Sequence, residues 1–454
     1  MAGAHKGNSS SQPAVVVIGG GVAGIQAALD LGDMGMQVHL VEKKPSIGGR
    51  MAQLDKTFPT NDCSLCILAP KMAECSRHPN VTLHTNSDVV RVAGSAGAFK
   101  VDVLKRARFV KESACTGCLE CTQKCPAKVA DEFDMGLRMR EAVYTYFMQA
   151  VPAVVSIDRE HCLYLTKGRC GLCKRVCEAG AIDYEQEDLE FTLDVGAIVV
   201  ATGFDPFDPA VVKPYGYGKF RNVITSMEYE RLISASGPTG GHLWRQSDRE
   251  PVKKLAFLQC VGSRNLNHNR FCSSVCCMYA TKEAILANEH DREVESTIFY
   301  TDLRAAGKGF QEYVARAERE YKVDFVRGRV AEITQDEQER PVIWYEDTEG
   351  SNGTGALKSR KKSATVDLAV LAISLAPRRG AQELASLLGI ELDEYNFIKT
   401  DPFSMADTTR PGVFACGYCR GPSDIPESVA QASGAAARAA EFVAQMRSDV
   451  VVRV

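Results

Sequence analysis

Residues 14–42 constrain this chain more than any other stretch. A β-branched run, Ala14-Val15-Val16-Val17-Ile18, passes directly into Gly19-Gly20-Gly21-Val22-Ala23-Gly24. Residues with helical spacing follow from Ile25 to Met34, and a second apolar run, Gln37 to Val41, closes on Glu42. That order predicts a βαβ unit with Gly19-x-Gly21-x-x-Gly24 at the strand-to-helix turn and an acid ending the second strand. The first glycine permits the tight turn, the second lets a pyrophosphate approach the backbone, and the third lets helix and strand pack closely. The helix N-terminus offers free N–H groups and a positive dipole end to phosphates, and Glu42, with Lys43 beside it, can receive a ribose. An ordinary glycine-rich turn would not require the acid, so dinucleotide binding is the stronger reading.

Size and charge narrow the rest. At roughly 100–200 residues per domain, 454 residues allow several domains and a large core. With 57 acidic and 54 basic side chains, the chain has no electrostatic footprint for nucleic acid. Charged residues break every apolar run short of the roughly 18 needed to cross a bilayer. Residues 1–13 read as a loose tail without the apolar segment of a secretory signal. A cytoplasmic protein, peripheral to a membrane through partners at most, is the expectation.

Cysteine is the compositional anomaly. Of 17 cysteines, eight lie between Cys115 and Cys177, four between Cys260 and Cys277, and three between Cys63 and Cys75. Clustered thiols in a reducing compartment favour metal ligation over disulfides. Cys115-x2-Cys118-x2-Cys121-x3-Cys125-Pro126 is the run of bacterial two-cluster ferredoxins. Cys162-x7-Cys170-x2-Cys173-x3-Cys177 is its partner, although Lys167 takes the usual first-cysteine offset and Glu178 the trailing proline. Because the fourth cysteine of each run ligates the other cluster, Cys115, Cys118, Cys121 and Cys177 are assigned to one [4Fe–4S] centre. Cys162, Cys170, Cys173 and Cys125 are assigned to the second, with Cys162 the least secure. A four-cysteine zinc site is the alternative.

A third set is less generic. The run Lys254 to Gly262 reads as a strand and turn containing Cys260, and Cys272-x3-Cys276-Cys277 opens a helix predicted over Met278 to Asn288. No second glycine-rich turn stands there, so a thiolate cluster on Cys260, Cys272, Cys276 and Cys277 replaces a nicotinamide half-site. A buried cysteine pair with two incidental thiols is the alternative. Cys63, Cys66 and Cys75 have no local fourth ligand. They read as a further centre completed elsewhere, as a Cys63/Cys66 redox dithiol, or as structural thiols.

Other segments resemble two-dinucleotide-domain flavoproteins: Gly48-Gly49-Arg50, the strand end Ala201-Thr202-Gly203, and Pro411 to Gly417 before a small-residue helix from Glu427 to Met446. The resemblance implies FAD. The Asp that normally follows Gly417 is Tyr418 here, leaving Asp424 as the candidate contact to the ribityl chain.

Taken in order, the pieces resemble the A-subunit family of heterodisulfide reductase. They include Thr57-Phe58-Pro59-Thr60-Asn61-Asp62-Cys63-Ser64, Gln259 to Arg264, Cys276 to Lys282 and Gly421 to Pro426, and the likeness spans about residues 13–447. The resemblance implies an α/β, thioredoxin-reductase-like two-dinucleotide-domain FAD fold with an inserted α+β two-cluster ferredoxin domain. The expected pieces are the FAD domain over 14–106, 188–250 and 376–454, the insertion over 107–187, and the second dinucleotide-like domain over 251–375.

It also implies an anaerobic electron-transfer complex in which electrons divide at the flavin, with Lys282 beside the ring. A solvated surface lysine is the plain alternative for that residue. The implied partners are B- and C-like heterodisulfide reductase subunits, hydrogenase or dehydrogenase modules, and ferredoxin. Larger members carry further domains at both ends, so a low-potential exit is expected to be missing here or delegated to a partner. Related short subunits serve quinone-interacting or benzoyl-CoA reductase complexes. The rivals of another class are a stand-alone NAD(P)H-dependent disulfide reductase using Cys63 and Cys66, and a zinc-bearing scaffold.

Overall fold

The computed structural model describes residues 14–347 and 360–452, so the tail expected over residues 1–13 lies outside the described residues. The N-terminal unit is β1 (Ala14–Ile18), α1 (Val22–Asp33) and β2 (Gln37–Glu42). Strand β1 is central in a five-stranded parallel sheet. On one side lie β2 and Val81–Thr85; on the other lie Ala197–Val200 and Val413–Ala415. A parallel sheet is covered on both faces and its strands are apolar throughout, as the fully buried Val15, Val16 and Val17 illustrate.

Helix α1 and the C-terminal helix Ile425–Val452 cover one face. Ala432, Ala435, Ala436 and Ala439 share a core with Ala27 and Ala28, and these small side chains let the two helix backbones approach. An antiparallel layer of Ser87–Ser95, Ala98–Lys105 and Leu189–Val195 covers the other face.

A second sheet has seven strands in the order Val223–Thr225, Leu368–Ile373, Lys254–Val261, Glu295–Tyr300, Asp324–Gln335, Pro341–Asp347, Arg360–Thr365. The first five run parallel and the last two antiparallel. The helix Cys276–His290 packs on it and is buried along most of its length. It begins two residues before the stretch the sequence predicted, because Cys276 and Cys277 are themselves helical.

Residues between Lys105 and Leu189 form the insertion. A small core joins Phe109, Val110, Ile157 and Ile182 to Cys121, Cys162 and Cys173. The insertion is tied tightly to the first sheet. Arg108, fully buried, donates to Pro45 O (2.6 Å), the Thr85 hydroxyl (2.5 Å) and the Ser156 hydroxyl (2.9 Å). Phe133, Phe147 and Ala150 enter the core under the first sheet, and Asp134 accepts from Arg231 Nε at 2.7 Å with both side chains buried.

Candidate functional site

A cleft of about 580 Å³ runs between the two sheets, inside the roughly 300–1,000 Å³ typical of ligand sites. It lies at the carboxyl ends of the parallel strands, where α/β sheets bind nucleotides. Gly19, Gly21, Glu42, Lys43, Gly49 and Arg50 line it, together with Ala201, Thr202, Gly203, Gly417, Asp424 and Lys282. Gly24 stands behind the wall. A Cβ there would lie 1.8 Å from Gly19 O, so the close approach of helix to strand requires glycine.

The local chemistry fits a dinucleotide. The Glu42 carboxylate accepts from the Gly20 N–H at 2.7 Å and the Lys44 N–H at 2.8 Å, which fixes it at the end of β2. Burial pushes its pKa up, opposed by those two bonds and by Arg378 and Lys44. Asp424 exchanges capping bonds with Glu427 (2.8 and 3.0 Å) at the start of the C-terminal helix while lining the cleft. Tyr418, in place of the usual acid, turns toward the other domain. Its hydroxyl donates to Ser273 O and Leu375 O, each at 3.2 Å.

Lys282 is not a surface side chain. It is 1 % exposed, its ammonium pairs with Glu230, and it donates to Lys56 O at 3.1 Å. Glu230 also accepts from the Asp55 N–H at 2.9 Å. Next to this pair, Glu283 is buried with neither carboxyl oxygen hydrogen-bonded. Burial and the nearby Glu230 raise its pKa well above 4.5, with Lys282 opposing. Sequence reasoning missed Glu230, on the short helix Ser226–Ile233, and Glu283, on the buried helix Cys276–His290, since an acid in a helix carries no sign of its buried neighbours. The insertion also reaches the cleft, through Glu132, Met135 and Tyr146.

The thiols line three regions. Cys260, Cys272, Cys276 and Cys277 surround one small cavity with Arg264, Asp302 and Arg304. The strand before it ends in a bulge, and Cys260, Arg264 and Ser274 take positive φ (62°, 54° and 67°), which folds the Cys272 loop back over the helix start. A buried hydroxyl triad locks that loop: Ser263, Ser273 and Ser374 lie 2.8–3.0 Å apart. Burial pushes the Cys277 thiol up to about 11.

A second cavity is walled by Cys125, Cys162, Cys170 and Cys173 with Tyr164 and Tyr184. It therefore includes Cys162, the ligand with the irregular spacing. Cys121 is electrostatically coupled to Cys115, Cys118 and Cys177 as well as to Cys173, and burial pushes its thiol up to about 12. Among the described residues, no three His, Cys, Asp or Glu converge tightly enough to hold a lone metal ion. Cuboidal clusters take their thiolates at separate corners, and two of the cysteine sets here are arrayed around cavity walls.

Of the three readings of the remaining set, the structure fits the Cys63/Cys66 dithiol and not a centre shared by all three. Cys63 and Cys66 form a disulfide with Cα atoms 5.3 Å apart. Cys75, nine residues further along the helix Ser64–Arg77, turns to its opposite face and is fully buried against the first sheet. Burial pushes its thiol up to about 12. In this structure the three do not share a ligand set. Cys416 and Cys419 are buried near the cleft, and the Cys419 thiol donates to Val200 O.

The family model for pyridine nucleotide-disulphide oxidoreductases matches residues 13–243 and 278–437. The unmatched gap carries Cys260, Cys272, Cys276 and Cys277. The second iron–sulfur A-subunit of CoB–CoM heterodisulfide reductase from Methanopyrus kandleri is 52% identical over 433 residues, covering 94% of this chain and 64% of the relative. Its counterpart from Methanocaldococcus jannaschii is 47% identical over 434 residues, 95% of this chain and 64% of that one. The chain thus spans just under two thirds of these relatives' length. Thioredoxin reductase from Lactococcus lactis superposes with a TM-score of 0.53 at 17% identity, covering 96% of this chain and 100% of that one. Thioredoxin reductase from T. acidophilum gives 0.51 at 14%, covering 94% and 97%. These likenesses establish the two-dinucleotide-domain fold. Among the described residues no helix is long and apolar enough to cross a membrane.

Proposed function

Because the chain belongs to the pyridine nucleotide-disulphide oxidoreductase family and is similar to heterodisulfide reductase A-subunits, we propose that it is the FAD and iron–sulfur electron-transfer subunit of a heterodisulfide-reductase-like complex. One observation carries the proposal: a single helix, Cys276–His290, lines both sites. Its first turn contributes Cys276 and Cys277 to the thiol cavity, and Tyr279, Lys282 and Glu283 face the cleft. That places the two sites within about two helical turns, roughly 11 Å along the axis.

Bound in the cleft, FAD supplies the exchange between two-electron and one-electron chemistry. The residues around it bind and tune. The α1 N-terminus with Gly19 and Gly21 receives the pyrophosphate, and Glu42 holds a ribose hydroxyl. The Lys282 ammonium places positive charge in the wall, and Glu230 holds it in position. Phe58, Met135 and Tyr146 exclude water. Cys260, Cys272, Cys276 and Cys277 hold one [4Fe–4S] cluster, and the eight cysteines of the insertion hold two more in a ferredoxin-like domain. If electrons divide at a bound flavin, the Cys260–Cys277 set and the cysteines of the insertion would hold the clusters that carry them onward, toward B- and C-like partner subunits, a hydrogenase or dehydrogenase module, or ferredoxin.

Anaerobic preparation followed by iron, acid-labile sulfide and flavin analysis tests this. About twelve irons per chain, four for each of three clusters, with bound FAD are expected, and Cys276→Ser should lose about four irons while keeping FAD. Zinc with little iron, or no flavin, overturns it.

A second reading, an NAD(P)H-dependent disulfide reductase, is favoured by the Cys63–Cys66 disulfide. It requires rapid flavin bleaching by NADPH in the isolated chain. The cysteine-bearing turn at Cys260–Gly262, where a phosphate-binding glycine loop would stand, weighs against it.

A further inference from the structure

The two thiol sets of the insertion are built unequally. In the set of Cys115, Cys118, Cys121 and Cys177, a backbone N–H, from Ala181, approaches Cys177 Sγ at 3.3 Å. In the set of Cys125, Cys162, Cys170 and Cys173, a phenol does the equivalent work: the Tyr184 hydroxyl lies 2.9 Å from Cys173 Sγ. Both residues are buried, at 7 % and 6 % exposure, and Tyr184 forms part of the cavity wall. Its ring stacks on Tyr164 with centroids 3.9 Å apart and 20° between planes, which leaves the hydroxyl little freedom to turn elsewhere. Lys174 Nζ lies 5.8 Å from the ring centroid and closes another side.

A thiolate ligand carries only lone pairs, so the phenol must be the donor once iron is bound. A hydrogen bond to a cluster sulfur withdraws negative charge and favours the reduced, more negative state. Both bonds end on a ligating thiolate, and the Tyr184 contact is the shorter, 2.9 Å against 3.3 Å for the Ala181 N–H.

We propose that Tyr184 sets the reduction potential of the iron–sulfur centre on Cys125, Cys162, Cys170 and Cys173 above that of its neighbour, making it the electron sink of the insertion. The proposal rests on the iron–sulfur reading above. One electron leaves the Cys115–Cys177 centre, which is oxidised, and arrives at the Tyr184 centre, which is reduced. The tyrosine proton stays in place throughout. Tyr184 is thus a positioning residue that acts through Cys173.

The test is a redox titration of the anaerobically prepared full chain, followed by electron paramagnetic resonance, with Tyr184→Phe beside the wild type. Phenylalanine keeps the stack on Tyr164 and deletes only the donor. One potential is expected to fall about tenfold in equilibrium terms, about 59 mV for one electron, with the others unmoved and iron content unchanged. Unchanged potentials at full iron content overturn the role of Tyr184 and leave the cluster assignment standing. If the wild type has no iron–sulfur signal, the functional reading fails instead. Should Tyr184→Phe lose iron, a fluorinated tyrosine at position 184 decides. Its stronger O–H donor must raise the same potential, and an unmoved potential overturns the proposal.

Discussion

The two dinucleotide-type halves share one local plan and differ in what fills it. In each, a central parallel strand leads to the N-terminus of a packed helix, through the tight turn Gly19 to Gly21 in the first half and through the longer loop Gly262 to Val275 in the second. The first half puts Gly19, Gly21 and Gly24 there, and the backbone lies open to a phosphate. The second puts Cys260, Cys272, Cys276 and Cys277 there, and side-chain sulfur takes the space. The same strand–turn–helix thus offers N–H groups and a positive dipole end in one half and thiols in the other. The residue type at the turn selects the ligand class, while the fold supplies only the place.

The largest expected effect breaks the comparison at its charged joint. Lys282→Ala strands the Glu230 carboxylate in a dry site. It should cost about 3–5 kcal/mol of stability in denaturant titration, as for other broken buried pairs. A Lys282→Met, Glu230→Gln double variant should recover most of that loss.

The two turns themselves come next. Gly24→Ala drives a Cβ into the Gly19 carbonyl, a backbone atom that cannot swing aside. About 3 kcal/mol and loss of flavin retention are expected. At Gly262 (φ +82°) the clash is with the Phe207 ring at 2.4 Å, a side chain able to move. Gly262→Ala should cost about 1–2 kcal/mol, the left-handed penalty, with flavin retained. Thermal unfolding and flavin absorbance after gel filtration separate the two cases.

The smallest effect sharpens the contrast through pH. In the first half, His39 and His84 meet at 3.1 Å between β2 and Val81–Thr85. Burial, then His39 and Lys105, lower the His84 pKa from 6.5 to about 4, with Glu112 opposing. Between those values the unfolded chain binds the extra proton, so stability falls as pH drops from 6.5 toward 4. Glu283 in the second half has the opposite sign. Its raised pKa means the folded chain holds a proton that the unfolded chain releases above 4.5, so stability falls as pH rises. His84→Gln should flatten the acid limb of a plot of Tm against pH, and Glu283→Gln the alkaline limb.

Much of the architecture was legible because it is written locally. The β1–α1–β2 unit follows from a β-branched run, three glycines and a terminal acid. The helix Cys276–His290 and the small-residue C-terminal helix were visible in spacing and side-chain size, with ends displaced by a few residues. Of the cysteine groupings expected from short spacings, the structure brings Cys162 to the same cavity as Cys125, Cys170 and Cys173 despite its longer offset. For Cys63, Cys66 and Cys75 the sequence left three readings open, and the structure separates them: Cys63 pairs with Cys66, and half-turn geometry sends Cys75 to the opposite face of its helix.

Sequence alone determined the nucleotide turn and the short cysteine runs, since each depends on residues within a few positions of one another. Only the tertiary structure decided that Lys282 faces Glu230 in a buried wall, that Tyr418 bonds across to the Ser273 loop, that Arg231 and Asp134 bolt the insertion to the cleft, and that Tyr184 meets Cys173. Apart from the last pair, these partners are separated by dozens to more than a hundred residues, and even Tyr184 and Cys173 meet across a loop. Their pairing reflects how desolvated charges and hydroxyls find partners once the sheets have packed, a condition that no window of the chain contains.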